Sequence, residues 1–127
     1  MALSEDPLDR VRRVCLALPE ATEQVAWGEP TWRVRKRLFA MYADDHHHDG
    51  RVALWCNAPL GVREHLLAAD PAAFFVPPYV GVKGWIGIVL ERVDESELRE
   101  LVAQSWAMAA PRRLVAALDD SSSQENG

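Results

Sequence analysis

The stretch Pro77-Pro78-Tyr79-Val80-Gly81-Val82-Lys83-Gly84-Trp85-Ile86-Gly87-Ile88-Val89-Leu90 constrains the fold most. Proline fixes φ and removes a backbone donor, and glycine opens φ > 0, so these residues describe a shaped loop. The apolar run behind them predicts a buried strand that the loop enters. The glycines at 81, 84 and 87 suggest a glycine-rich ligand loop, but a phosphate-binding loop must open a helix so that its amides converge on the anion. Here it opens a strand. Lys83 is the stretch's one charged side chain, and no catalytic group sits in it.

The rest of the chain is expected to form one domain over residues 1–118. At 127 residues, 49% hydrophobic and 26% charged, it has the composition of a globular domain with a real core. No apolar run is long enough to span a bilayer, and Met1 to Asp6 lacks the basic and apolar regions of a signal peptide, so the expected compartment is the cytoplasm. Cys15 and Cys56 lie among apolar neighbours and read as reduced core thiols. With Asp119, Asp120 and Glu125 of the Ser-rich tail set aside, residues 1–118 carry 14 basic against 16 acidic side chains, a net of −2. A chain near neutrality can contact a polyanion only through a local patch. Residues 119–127 read as a disordered acidic tail.

Asp6-Pro7, with Asp9 beyond, starts a helix in which Leu8, Val11, Val14, Cys15 and Leu18 repeat at helical spacing and Pro19 is the stop. Arg10, Arg12 and Arg13 fall on its polar face and read as solvated. Ala21 to Gly28 is a connector or short strand. Thr31 to Val34 and Leu38 to Tyr42 alternate as two strands joined by a tight turn. Arg35-Lys36 in that turn has no glycine, which leaves a longer loop or a bulge open. The polar run Ala43 to Gly50 predicts an exposed loop before the strand Arg51 to Cys56. His46, His47 and His48 among aspartates invite a metal reading, but adjacent loop side chains need not converge, and the expectation is no metal site. A second helix runs from Leu60 to about Ala69 with Val62, Leu66 and Ala69 inward. Asp94 and Glu97 form a capping box for a third, with Leu98, Leu101, Val102, Ser105 and Ala109 inward and Trp106 at the edge. Pro111 opens a short last helix. The expectation is an α+β domain, an antiparallel sheet packed by helices mainly on one face.

Leu18-Pro19-Glu20, Glu23, Trp27-Gly28-Glu29-Pro30-Thr31-Trp32-Arg33-Val34, Lys36, Phe39-Ala40, Pro77 to Gly81, Gly84-Trp85 and Ala109 to Arg112, taken in order, resemble the MmcQ/YjbR family. The resemblance implies a compact α+β fold similar to type III secretion chaperone and frataxin-like domains. It also implies DNA binding through a double-wing motif of two projecting hairpins. Carried over by position, the first wing is Arg33 to Arg37 and the second the hairpin from Asp44 to Arg51.

Two functional readings come from these residues. In the first, Arg33, Arg35, Lys36 and Arg37, with Lys83 and Arg112-Arg113 beside them, contact DNA phosphates without reading sequence. In the second, Trp27, Trp32, Trp55, Tyr79 and Trp85 line a pocket for a small ligand or a protein partner, with Tyr79 and Trp85 as its leading candidates. No catalytic residue or cofactor is expected. A formyltransferase label has no matching motif in the chain, and Glu20, Glu23 and Glu29 show no pairing that sequence can establish. The expected state is a monomer or weak homo-oligomer.

Overall fold

The computed structural model describes residues 5–45 and 50–118. The elements run α1 (Pro7–Leu16), β1 (Ala21–Ala26), β2 (Glu29–Val34), β3 (Arg37–Asp44), β4 (Val52–Cys56), α2 (Val62–Ala69), β5 (Phe74–Phe75), β6 (Ile86–Val89) and α3 (Glu95–Ala109). A final helix, α4, covers 112–118. Strand order is β1-β2-β3-β4-β6-β5, with every neighbouring pair antiparallel. The first four strands form a meander. The chain then leaves through α2, returns at the far edge as β5, and β6 fills the gap between β5 and β4.

Ala21 to Ala26 is therefore a full strand, made by its pairing with β2 rather than by any apolar alternation of its own. Both early hairpins close through two residues at positive φ, the backbone sense that matches strand twist. Trp27 and Gly28 stand at +55° and +78°, Arg35 and Lys36 at +51° and +69°. The Arg35-Lys36 turn is thus tight without glycine, and the irregularity appears inside the ladder instead. Trp32 pairs with Ala40 and Arg33 with Leu38, so Phe39 is an extra residue. That bulge lets Phe39 and Ala40, adjacent in sequence, both enter the same core.

Asp6 caps α1 by accepting the Leu8 N–H at 2.8 Å, and Asp94 caps α3 by accepting the Glu97 N–H at 2.8 Å. The two helices bury Val11, Val14, Cys15, Leu98, Val102 and Trp106 against Trp32, Val34, Ala40, Tyr42, Leu54, Cys56 and Ile88 on one sheet face. Trp106 is wholly buried rather than at an edge, and its indole N–H donates to the Pro19 carbonyl at 2.9 Å. The arginines of α1 all have partners, although Arg12 and Arg13 remain partly solvated. Arg10 donates to the carbonyls of Leu90 and Val93, each at 2.8 Å, Arg12 grips Glu23, and Arg13 bridges Glu5 and Glu95. By contrast α2 starts at Val62 and has no fully buried residue; Leu66 and Leu67 only lean on the core.

The opposite face carries a smaller apolar cluster of Met41, Ala43, Ala53, Trp55, Phe75 and Trp85. No helix covers it. Its cover is the segment 76–85, which includes a short 3-10 turn at Val80–Lys83. Gly87 is required beneath Phe75, because a Cβ there would sit 2.3 Å from the ring. Arg51 lies over the same ring at 4.0 Å.

Candidate binding pocket on the open sheet face

Between the segment 76–85 and the open face lies a cavity of about 840 Å³. Met41 and Trp55, cross-strand partners on β3 and β4, line it with Leu38. Tyr79, Val80, Lys83 and Trp85 come from the segment before β6, and Trp27 comes from the β1–β2 turn. In strand order these two contributions flank β3 and β4. The remaining polar residues are Arg37 and Asn57. Asn57 is held by its own backbone and side chain: its N–H donates to the Phe39 carbonyl at 3.3 Å and its Oδ1 accepts the Ala58 N–H at 3.0 Å.

The segment before β6 is strained and clamped. Tyr79 has φ +61° and ψ −66°, and the Val80 N–H donates to the Pro78 carbonyl at 2.6 Å, which makes a γ-turn of the rare positive-φ form. Such conformations cost about 1–3 kcal/mol each and persist only where the surroundings hold them. Arg63 of α2 supplies that hold, donating from one Nη1 to the carbonyls of Gly81 at 2.6 Å and Trp85 at 3.1 Å. Gly81 lets the segment close on itself, since a Cβ would meet the Val76 side chain at 2.7 Å.

The basic residues predicted to act together are separated by their partners. Arg35 is taken by Glu20, with its Nη2 donating to Oε2 at 3.0 Å, and this guanidinium holds the Glu20 carboxyl below the ordinary range. Arg33 is half-buried in β2, with its Nε enclosed. Lys36, Arg37 and Lys83 are exposed and have no ion pair among the described residues. Of these, Arg37 and Lys83 reach the cavity, where they join Tyr79 and Trp85 from the other predicted set. Trp27 and Trp55 also line it, whereas Trp32 lies wholly buried on the helix-covered face. The segment carried over as the second wing joins the antiparallel pair β3 and β4, but His46, His47, His48 and Asp49 lie outside the described residues, and so does the metal question there.

The other titratable candidates are diverted from the cavity. Glu23 is held below the ordinary carboxylate range chiefly by Arg12, and the Trp32 indole also donates to it at 3.2 Å. Glu29 accepts the Asp44 N–H at 3.1 Å. His65 is exposed and lines a separate hollow of about 300 Å³ between α2 and α3. Burial pushes the thiol of Cys56 up to about 11 and that of Cys15 well above its ordinary value, so neither is a nucleophile at neutral pH.

Residues 16–108 match the YjbR family. The chain belongs to that family. Relatives within reach of direct comparison are uncharacterized proteins of Mycobacterium tuberculosis and Mycobacterium bovis, each 26% identical over 122 residues, covering 86% of this chain and 92% of theirs. The fold is also that of a crystal structure of a Deinococcus radiodurans protein with a DUF419 domain, at TM-score 0.68 and 23% identity over 83% of this chain and 81% of that one. Among the described residues, no helix of this YjbR protein is long and apolar enough to cross a membrane.

Arg63 and Asn57 carried no sequence signal. An arginine on a short polar helix reads as solvated until the fold brings Gly81 and Trp85 to it.

Proposed function

We propose that this YjbR-family protein is a non-enzymatic binding module whose ligand is an anion held in the aromatic pocket of the open sheet face. The observation that carries this is the lining: among the described residues its charged groups are Arg37 and Lys83, and none is a carboxylate. Two cations beside low-dielectric aromatic walls raise the local concentration of anions and discriminate against cations. Among the described residues that line the cavity there is no histidine, cysteine, serine or acid, which supports binding rather than acid–base or nucleophilic chemistry. Titrating the protein's tryptophan fluorescence with a panel of small anions, cations and neutral analogues tests it. Anions are expected to quench, and Arg37→Glu with Lys83→Glu to abolish the response. Equal responses to cations, or an unchanged response in the double variant, would refute the reading.

Contact with DNA is the second reading, favoured by the exposed Lys36, which has no ion pair among the described residues, next to Arg37 at the tip of the β2–β3 hairpin. Phosphate contacts of this kind give salt-sensitive affinity without base readout. A gel shift that weakens with salt and with Lys36→Ala, while Arg35→Ala changes little because Glu20 already neutralises it, supports DNA contact. No shift at low salt with duplex or single strand removes it.

A further inference from the structure

The chain has five tryptophans and two tyrosines. Trp32, Trp55, Trp85, Trp106 and Tyr42 are all buried, none more than 6% exposed. Trp27 and Tyr79 are 68% and 70% exposed. These same two stand at positive φ, +55° and +61°. Both line the one cavity, from elements on either side of its β3–β4 floor. The turns account for the backbone at these positions, not for the choice of large aromatic side chains left exposed there. Trp27 sits where a two-residue turn prefers Asn, Asp or Gly, and an exposed indole recovers little burial energy in return for the strained backbone. The faces of these two side chains become useful only when something flat lies against them.

The geometry points to a nucleoside phosphate as the ligand, its base stacked on Trp27 and Tyr79 and its phosphate held by Arg37 and Lys83. This deepens, and rests on, the anion-binding reading above. Aromatic side chains stack on any base because every base has a π face. A phosphate presents several acceptor oxygens and close to two charges, which suits two cations arriving from separate elements better than a monovalent carboxylate does. A cavity of about 840 Å³ lies within the size range of small-molecule and cofactor sites. The same chemistry is presented by a free nucleotide and by an unpaired nucleotide of a single strand.

The test is a fluorescence titration of the full chain with AMP, adenosine, ribose 5-phosphate, a short oligodeoxyadenylate and the matching duplex. Glycine accepts the φ of both aromatic positions, so Trp27→Gly and Tyr79→Gly keep the turns, and circular dichroism confirms the fold. AMP is expected to bind at least about tenfold more tightly than either adenosine or ribose 5-phosphate. Each glycine variant should weaken AMP by roughly tenfold and leave ribose 5-phosphate unchanged. Tighter binding of AMP than of the oligonucleotide identifies free nucleotide as the source; the reverse order identifies a single strand. If ribose 5-phosphate binds as well as AMP, or the glycine variants bind AMP normally, the stacking proposal is overturned while the anion pocket stands. If none of the phosphates binds, both readings fall together.

Discussion

The two faces of the sheet are made by alternate residues of the same strands, and both bury their own aromatic side chains, yet they are covered in different ways. On β4, Leu54 and Cys56 point to the helices while Ala53 and Trp55 point to the open side. Under α1 and α3 every large side chain is enclosed, and polar tips such as the Trp106 indole find fixed carbonyl partners. On the other side a loop stands in for a helix, clamped by one arginine and carrying a strained tyrosine. A covered face stabilises the fold; a face left partly open keeps apolar surface, and cations with no ion pair among the described residues, available for something else.

Substitutions on each face can break that contrast. Trp106→Ala should destabilise by about 3–5 kcal/mol, since it empties a sealed site and removes the hydrogen bond to Pro19. Urea unfolding of this variant beside Trp85→Ala gives the comparison, with a clearly smaller loss expected at Trp85 next to the cavity. Equal losses would mean that both faces are structural in the same sense. Arg63→Ala should cost about 1–2 kcal/mol, the worth of charge-assisted bonds to two carbonyls. More telling is where the loss appears: amide exchange should accelerate in 76–85 and stay slow in α1 and α3.

Titration sharpens the contrast from another direction, because the perturbed groups with the most burial belong to the helix-covered side. Tyr42 is pushed up to about 12 and Cys56 to about 11 by burial, so on raising the pH the unfolded chain ionises first, near 10 and 9. Their contribution to stability is full below about pH 9 and is lost as the pH rises through about 11 to 12. Glu23 is shifted the opposite way by Arg12, so its contribution is present above about pH 4.5 and is lost as the pH falls through its lowered value. Thermal melts across pH should show both flanks, and Glu23→Gln should flatten the acid one. An acid flank unchanged by that substitution would show that the Arg12–Glu23 contact adds nothing. The smallest effect on stability belongs to Trp27→Gly, where relief of the positive φ is expected to raise it by about 0.5–1 kcal/mol. A marked loss instead would make Trp27 a structural residue and weaken its assignment to the pocket.

Much of the fold was legible from the chain. The Asp6-Pro7 and Asp94 to Glu97 caps, the α1 stripe, the alternation in β2 and β3 and the apolar run at Ile86 to Val89 all depend on residues within a few positions of one another. What was missed is non-local. β1 shows little alternation and is a strand because β2 pairs with it; β5 is two residues held by β6. Trp106 looked marginal to its helix because nothing nearby announces the carbonyl of Pro19, 87 residues away. The candidate site was half legible: Tyr79, Trp85, Arg37 and Lys83 were named, but in two different sets.

The sequence by itself determined the class of fold, the family and the supply of cations and aromatics, since periodicity, capping and turn chemistry act over short stretches. Only the tertiary structure decided which of those side chains remain available. Arg35 was removed from the basic cluster by Glu20, fifteen residues away, and Arg63 was drawn to carbonyls eighteen and twenty-two residues away. A charge or a ring acts through what stands beside it, and that neighbour is set by the packing of the whole sheet.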